Sequence, residues 1–70
     1  MLERKEAIAL LSELGVNQLV SPNLVILEQR KLDNYQLRIK GSYNFKDVGL
    51  FLKNRFCLEE LNNYLIIFRP

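Results

Sequence analysis

The sequence predicts a single α+β domain with the chain order α-β-β-α-β-β, in which a four-stranded, mostly antiparallel sheet carries two helices on one face. Two segments have the apolar spacing of amphipathic helices, and each is followed by two short strand-like runs. In addition, the nine residues 32–40 reappear in looser form at 61–69, with Leu, Asn and Tyr conserved between the copies. Each copy is predicted to form the turn and second strand of a β-hairpin.

Length and composition indicate one domain over residues 1–70. The chain is 49% hydrophobic and 26% charged, which is typical of a folded globule. A core of this size rarely supplies more than ~3–5 kcal/mol, so small domains usually add a disulfide, a metal or self-association. Cys57 is the only cysteine and histidine is absent, which excludes an internal disulfide and a Cys and His zinc site. Self-association is the remaining expectation.

The sequence says less about the cellular location of the protein and about charged partners. The apolar runs are far shorter than the roughly 18–20 residues of a membrane span, so no membrane partner is expected. The N-terminus lacks the apolar region of a signal peptide, and together with the lone thiol this favours the cytoplasm. A net charge of +2 permits nucleic-acid binding without indicating it.

The first helix is predicted over Leu2–Leu14, and Gly15 is expected to end it in a left-handed conformation. The connection 16–23 carries a Ser-Pro-Asn turn signal, and its apolar residues leave open whether it forms a helical turn. The helical stripe has i, i+3, i+4, i+7 spacing and consists of Ala7, Leu10, Leu11 and Leu14.

The first hairpin pairs residues 24–31 with the alternating strand 35–40. A two-residue turn at 33–34 would set Glu28 beside Ile39, whereas a shift of one residue pairs Leu27 with Ile39 and Gln29 with Leu37. Because such a shift exchanges the faces of the whole strand, the longer loop is favoured.

The second half repeats this order. Asn44 is a predicted helix N-cap with Asp47 three residues later. Asn62 and Asn63 are predicted to form a tight primed turn between strands 57–61 and 64–68. The stripe of the second helix consists of Val48, Phe51, Leu52 and Phe56.

The hydrophobic pattern also predicts where each strand lies. Residues 24–27 and 64–68 are apolar on both faces and are placed in the middle of the sheet, whereas strand 57–61 is short and acidic and suits an edge. Two helices cover one face of such a sheet and leave the other open to water or to a partner.

Catalysis is not expected. The commonest general base, histidine, is absent, and Cys57 has apolar neighbours and no nearby cation. Glu59 and Glu60 are adjacent in a strand and therefore point to opposite faces. No phosphate-binding loop or nucleophile motif occurs, so we expect neither an enzyme nor a cofactor.

Two binding hypotheses remain. The first is a non-catalytic interaction or adaptor module that self-associates through its sheet, as a homodimer, or binds another protein there, because exposed apolar patches usually mark interfaces; the alternative is that another segment covers this face. The candidate interface residues are Leu24, Ile26, Leu65 and Ile67. The second hypothesis is nucleic-acid binding through basic and aromatic side chains, against the alternative of a solvated basic surface. The candidate contacts are Tyr35, Arg38, Lys40, Lys53, Arg55 and Tyr64.

Overall fold

The computed structural model describes residues 1–70 and confirms the predicted order of elements. Its helices and strands are α1 (Arg4–Val16), a short 3-10 turn (Pro22–Leu24), β1 (Val25–Lys31), β2 (Asn34–Lys40), α2 (Phe45–Leu52), β3 (Cys57–Leu61) and β4 (Tyr64–Phe68). All three strand pairs are antiparallel, and the sheet has the order β1-β2-β4-β3. Neither helix has the length and hydrophobicity needed to cross a membrane.

The sheet order corrects one of the two strand placements. β4 is central, as predicted, but β1 is an edge strand, so its predicted central position is wrong. The apolar run 24–27 suggested a strand buried on both faces, but Leu24 and Ile26 each remain 40% exposed. The second central strand is β2, whose apolar residues Leu37 and Ile39 are fully buried while its polar residues point to the opposite face.

The first hairpin has the predicted faces but a different register. Leu27 pairs with Leu37 rather than with Ile39, and Val25 takes the position opposite Ile39. The register is irregular between Gln29 and Lys31, and Asp33 has a φ of 60°. A bulge of this kind adds one residue to one strand beside the turn. Lys31 pairs with Asn34 across a two-residue loop, so the predicted longer loop is wrong. The shorter loop and the bulge each move the pairing by one position, and the total of two leaves the inward and outward sets unchanged.

The two repeated stretches place their turn chemistry at equivalent positions. Asn62, which corresponds to Asp33, has a φ of 47°, whereas Asn63 does not have a positive φ. Leu61 pairs with Tyr64, so Asn62 and Asn63 form the predicted two-residue loop. Asp and Asn tolerate the left-handed region better than most residues, which explains why the repeat carries one of them there.

Helix α1 continues past its predicted end. Gly15 lies within the helix, which ends at Val16, and the positive φ occurs at Gln18 (58°). A Cβ on Gly15 would lie 2.8 Å from Cγ of Pro22. The glycine is therefore required for the close approach of the following turn to the helix, and the prediction of a left-handed cap at this position is wrong.

The core lies between the helices and one face of the sheet. From the sheet it takes the fully buried side chains Leu37, Ile39, Leu65 and Ile67, and from the helices Ala7, Leu10, Leu14, Val48 and Leu52. Burial of Leu65 and Ile67 contradicts their predicted place on the open face. The pattern of β4 could not assign them, because the strand is apolar on both faces.

Helix α2 begins at the predicted cap. The side-chain oxygen of Asn44 accepts a hydrogen bond of 3.0 Å from the backbone N–H of Asp47. The helix ends at Leu52, and Lys53 follows in the left-handed conformation with a φ of 50°. Phe56 therefore lies beyond the helix, although it still packs against the core as part of the predicted stripe.

Candidate interaction surface

The sheet face opposite the helices, called here the open face, carries twelve strand side chains that alternate with the core residues. Strand register defines it, because Lys40 pairs with Tyr64 and Tyr64 with Leu61, all on the side away from the helices. The open face consists of Ile26, Glu28 and Arg30 of β1, Gln36, Arg38 and Lys40 of β2, Cys57, Glu59 and Leu61 of β3, and Tyr64, Ile66 and Phe68 of β4. A shallow depression of about 280 Å³ lies in it.

Arginine and aromatic side chains form the centre of this face. Cζ of Arg38 lies 4.8 Å from the centroid of the Tyr64 ring, and Cζ of Arg30 lies 5.7 Å from that of Phe68. Both distances are within the range of cation–π contacts. Ile66 lies among these side chains and is only 5% exposed although no helix covers it. Contacts between these side chains therefore cover Ile66 at the centre of the open face.

Charges on the open face are only partly paired. Glu28 binds Nη2 of Arg38 at 3.1 Å and accepts a hydrogen bond of 2.7 Å from the amide of Gln36. Nε of Arg38 is buried and has no hydrogen-bond partner. Glu59 and Lys40 form no salt bridge within the chain. An acceptor is therefore missing at Arg38, and a carboxylate on the same face is free.

Three of the predicted nucleic-acid contacts meet on the open face, namely Arg38, Lys40 and Tyr64. Tyr35 instead lies on the helix-covered face, where it packs against the core. The six candidates therefore do not form one surface, because alternate residues of a strand point to opposite sides of the sheet.

The remaining two candidates, Lys53 and Arg55, follow α2 and lie on the helical side of the molecule. Arg55 forms a salt bridge of 3.6 Å with Glu13 of α1 and donates from Nε to the carbonyl oxygen of Leu52 at 3.1 Å. These contacts join α2 to α1, so Arg55 serves the fold rather than a common basic surface.

A second arginine makes a similar contact beside it. Arg69 binds the carboxylate of Glu6 at 2.8 Å, and Phe56 lies between Arg55 and Arg69, whose Cζ atoms are 5.6 and 4.9 Å from the ring centroid. The hydrogen bond from Arg69 is the main reason that the pKa of Glu6 is lowered. This cluster ties the C-terminal strand to α1.

The predicted interface residues are divided in the same way. Ile26 belongs to the open face, and Leu24 is exposed in the 3-10 turn and packs against Gly41, whose φ is 78° and where a Cβ would lie 2.7 Å from the leucine Cδ1. Leu65 and Ile67 lie in the core. The sequence reasoning missed the other apolar members of the open face, Leu61, Ile66 and Phe68.

The other reactive groups do not converge on a catalytic arrangement. Cys57 is half-buried at the start of β3 and pairs with Phe68. The hydroxyl of Tyr43 donates to Glu60 at 2.7 Å. The pKa of Tyr43 is raised mainly by burial and also by this hydrogen bond. No group of three or more His, Cys, Asp or Glu side chains is placed to hold a metal ion.

No protein family model, no curated protein and no solved structure matches this chain. Its function must therefore be inferred from the chemistry of its own surface, where the open face brings arginine, aromatic and aliphatic side chains together.

Proposed function

We propose that this chain is a small, non-catalytic protein-interaction module that forms a homodimer through its open face. The observation that supports this best is the composition of that face, where arginine and aromatic side chains surround Ile66 and are flanked by exposed Ile26 and Leu61. Tyrosine, phenylalanine and arginine are enriched at protein interfaces, and tyrosine and arginine are also enriched among the residues that contribute most to binding.

Other exposed apolar side chains do not form a comparable surface. Val16 ends α1, Leu32 lies in the first hairpin turn and Leu50 is on the outer side of α2. Single exposed apolar residues are normal on protein surfaces. The concentration of apolar and aromatic groups on one face of the sheet is what distinguishes an interface from this background.

Two isoleucines of nearly equal exposure allow a matched test. Ile26 on the open face is 40% exposed, and Ile8 on α1 is 41% exposed. We expect Ile26→Ser to weaken self-association about tenfold, which corresponds to ~1.4 kcal/mol, and Ile8→Ser to leave it unchanged. Sedimentation equilibrium across the micromolar range measures both. A wild-type chain that is monomeric at every concentration contradicts homodimer formation, and equal effects of both variants contradict the open face as its site.

Nucleic-acid binding is the second candidate, because Arg38, Lys40 and Tyr64 are adjacent on the open face. Two contacts weigh against it: Arg38 is already bound to Glu28, and its guanidinium lies against the Tyr64 ring that a base would need for stacking. Phosphate contacts make binding strongly dependent on salt. An absence of binding to single-stranded RNA and DNA at low salt would exclude this function.

The cytoplasm is the compartment that we propose. Cys57 is unpaired within the chain, and disulfide-free thiols are usual in reducing compartments.

A further inference from the structure

We infer that two copies stack their open faces about a two-fold axis parallel to the strands, so that Arg38 of each copy binds Glu59 of the other. This inference rests on the proposed self-association and specifies its geometry. The occupant of the open face is a second copy of this chain.

Strand register places the two charged residues in one row across the sheet. Arg38 pairs with Ile66 across β2 and β4, and Ile66 pairs with Glu59 across β4 and β3. With strands ~4.8 Å apart, Arg38 and Glu59 are roughly 10 Å apart along this row, with Ile66 between them. They form no salt bridge within one chain.

Two simple two-fold axes through the row of Arg38 and Glu59 differ in the charges that they bring together. An axis parallel to the strands, between β2 and β4, exchanges the β1-β2 half of one copy with the β4-β3 half of the other. Arg38 then lies over Ile66 of the second copy and one strand away from its Glu59. An axis perpendicular to the strands through this row instead places Arg38 over Arg38 and Glu59 over Glu59 of the second copy. Charge complementarity therefore selects the parallel axis, and a two-fold makes every such contact twice.

The hydrogen bonding of Arg38 supports the same arrangement. Glu28 binds Nη2, and the buried Nε has no acceptor within the chain. A guanidinium has five N–H donors and is well suited to bind two carboxylates. Nε is inaccessible from outside the chain, but the Arg38 side chain as a whole is 32% exposed, so Glu59 of the second copy binds the guanidinium through an exposed Nη group.

The size of the face indicates how stable this dimer should be. Four strands at ~4.8 Å and about five residues at ~3.4 Å give a face of roughly 19 Å by 17 Å. This footprint of roughly 320 Å² per copy is below the ~800 Å² per partner of standard specific interfaces and is typical of weak, transient contacts. We therefore expect a reversible dimer whose population depends on concentration in the micromolar range.

A charge exchange between two variants tests the pairing. Glu59→Arg alone sets arginine against arginine, and Arg38→Glu alone sets carboxylate against carboxylate. We expect each variant to dimerise at least tenfold more weakly than the wild type. An equimolar mixture of the two has opposite charges at both contacts and should form a heterodimer as stable as the wild-type homodimer. Glu60→Arg is the matched control, because Glu60 is the next residue of the same strand and points to the other face.

Sedimentation equilibrium and native mass spectrometry measure these species, and circular dichroism confirms folding of each variant. Arg38→Glu creates a like-charge pair with Glu28, so Glu59→Arg, at an exposed edge position, is the variant that is interpreted alone if the other fails to fold. Wild-type dimerisation that Glu59→Arg leaves unchanged overturns the two-fold arrangement but not self-association. A mixture of two folded variants that does not restore dimerisation also overturns the pairing. A monomeric wild type that binds RNA or another protein through this face overturns the second copy as its occupant, and with it the homodimer.

Discussion

Replacing Gly15 by alanine should destabilise the domain, which is the opposite of the usual effect of this substitution inside a helix. Glycine inside a helix is ordinarily about 1 kcal/mol less favourable than alanine, so Gly15→Ala would normally stabilise α1. Here the added Cβ would lie 2.8 Å from Cγ of Pro22. The proline ring is fixed to its own backbone and cannot swing away as a long side chain would. Overpacking of this kind typically costs ~1–3 kcal/mol, so the net effect should be a destabilisation of about 1 kcal/mol.

Replacing Pro22 removes the conflict. Without the ring, the nearest Pro22 atom that remains is Cβ at 3.8 Å from the new methyl group, an ordinary contact. In a Pro22→Ala background, Gly15→Ala should therefore stabilise the domain by about 0.5–1 kcal/mol. The two effects differ by about 2 kcal/mol, which is the coupling energy that a double-mutant cycle measures.

Urea denaturation of the wild type, both single variants and the double variant provides the four free energies of unfolding. Thermal denaturation is a second readout, because 1 kcal/mol corresponds to about 4–8 °C in a domain of this size. If Gly15→Ala has the same sign and size in both backgrounds, the close approach of Pro22 is not the reason for the glycine.

Three further predictions concern the turn, the core and acid stability. Asn62→Val should lower the free energy of unfolding by about 1–2 kcal/mol, because a β-branched residue resists positive φ, and Asn63→Val should cost less; equal losses in thermal denaturation would contradict the observed turn. Leu65→Ala should cost about 2–5 kcal/mol in urea denaturation, since the side chain is fully buried, and a loss below about 1 kcal/mol would place it outside the core. The pKa of Glu6 is lowered on folding from its ordinary value of 4.5, so its stabilising contribution is present at neutral pH and is lost as the pH falls through the lowered pKa; free energies of unfolding measured against pH should fall more steeply for the wild type than for Glu6→Gln, and parallel curves would contradict this.

Alternation along a strand made part of the candidate surface predictable. The polar residues Arg38 and Lys40 alternate with Leu37 and Ile39, so burying the apolar pair necessarily points the basic pair the other way. Alternation likewise places Glu59 and Glu60 on opposite faces of their strand. What it could not supply was the side of the sheet to which Glu59 belongs, because that depends on pairing with β4.

β4 shows why the rest of the surface was not predictable. All five residues from Tyr64 to Phe68 are apolar or aromatic, so either alternate set could form the core. The register with β2 decides the choice, since Leu65 pairs with Ile39 and is buried with it. This pairing is a contact between residues far apart in sequence, and no local pattern specifies it.

The edge position of β1 and the helical role of Gly15 have similar origins. The edge position of β1 depends on which strand pairs with β4 at the centre of the sheet. The role of Gly15 depends on the packing of Pro22 against α1. Local composition indicated the type of each element correctly, whereas placement among neighbours required contacts between distant segments.

The most direct test of the central proposal is the change of backbone amide chemical shifts with protein concentration across the micromolar range. Dimerisation through the open face predicts concentration-dependent shifts that are concentrated in β2, β3 and β4 around Arg38, Glu59 and Ile66, with little change in α1 and α2. Shifts that do not depend on concentration, or that change mainly in the two helices, would contradict the proposal.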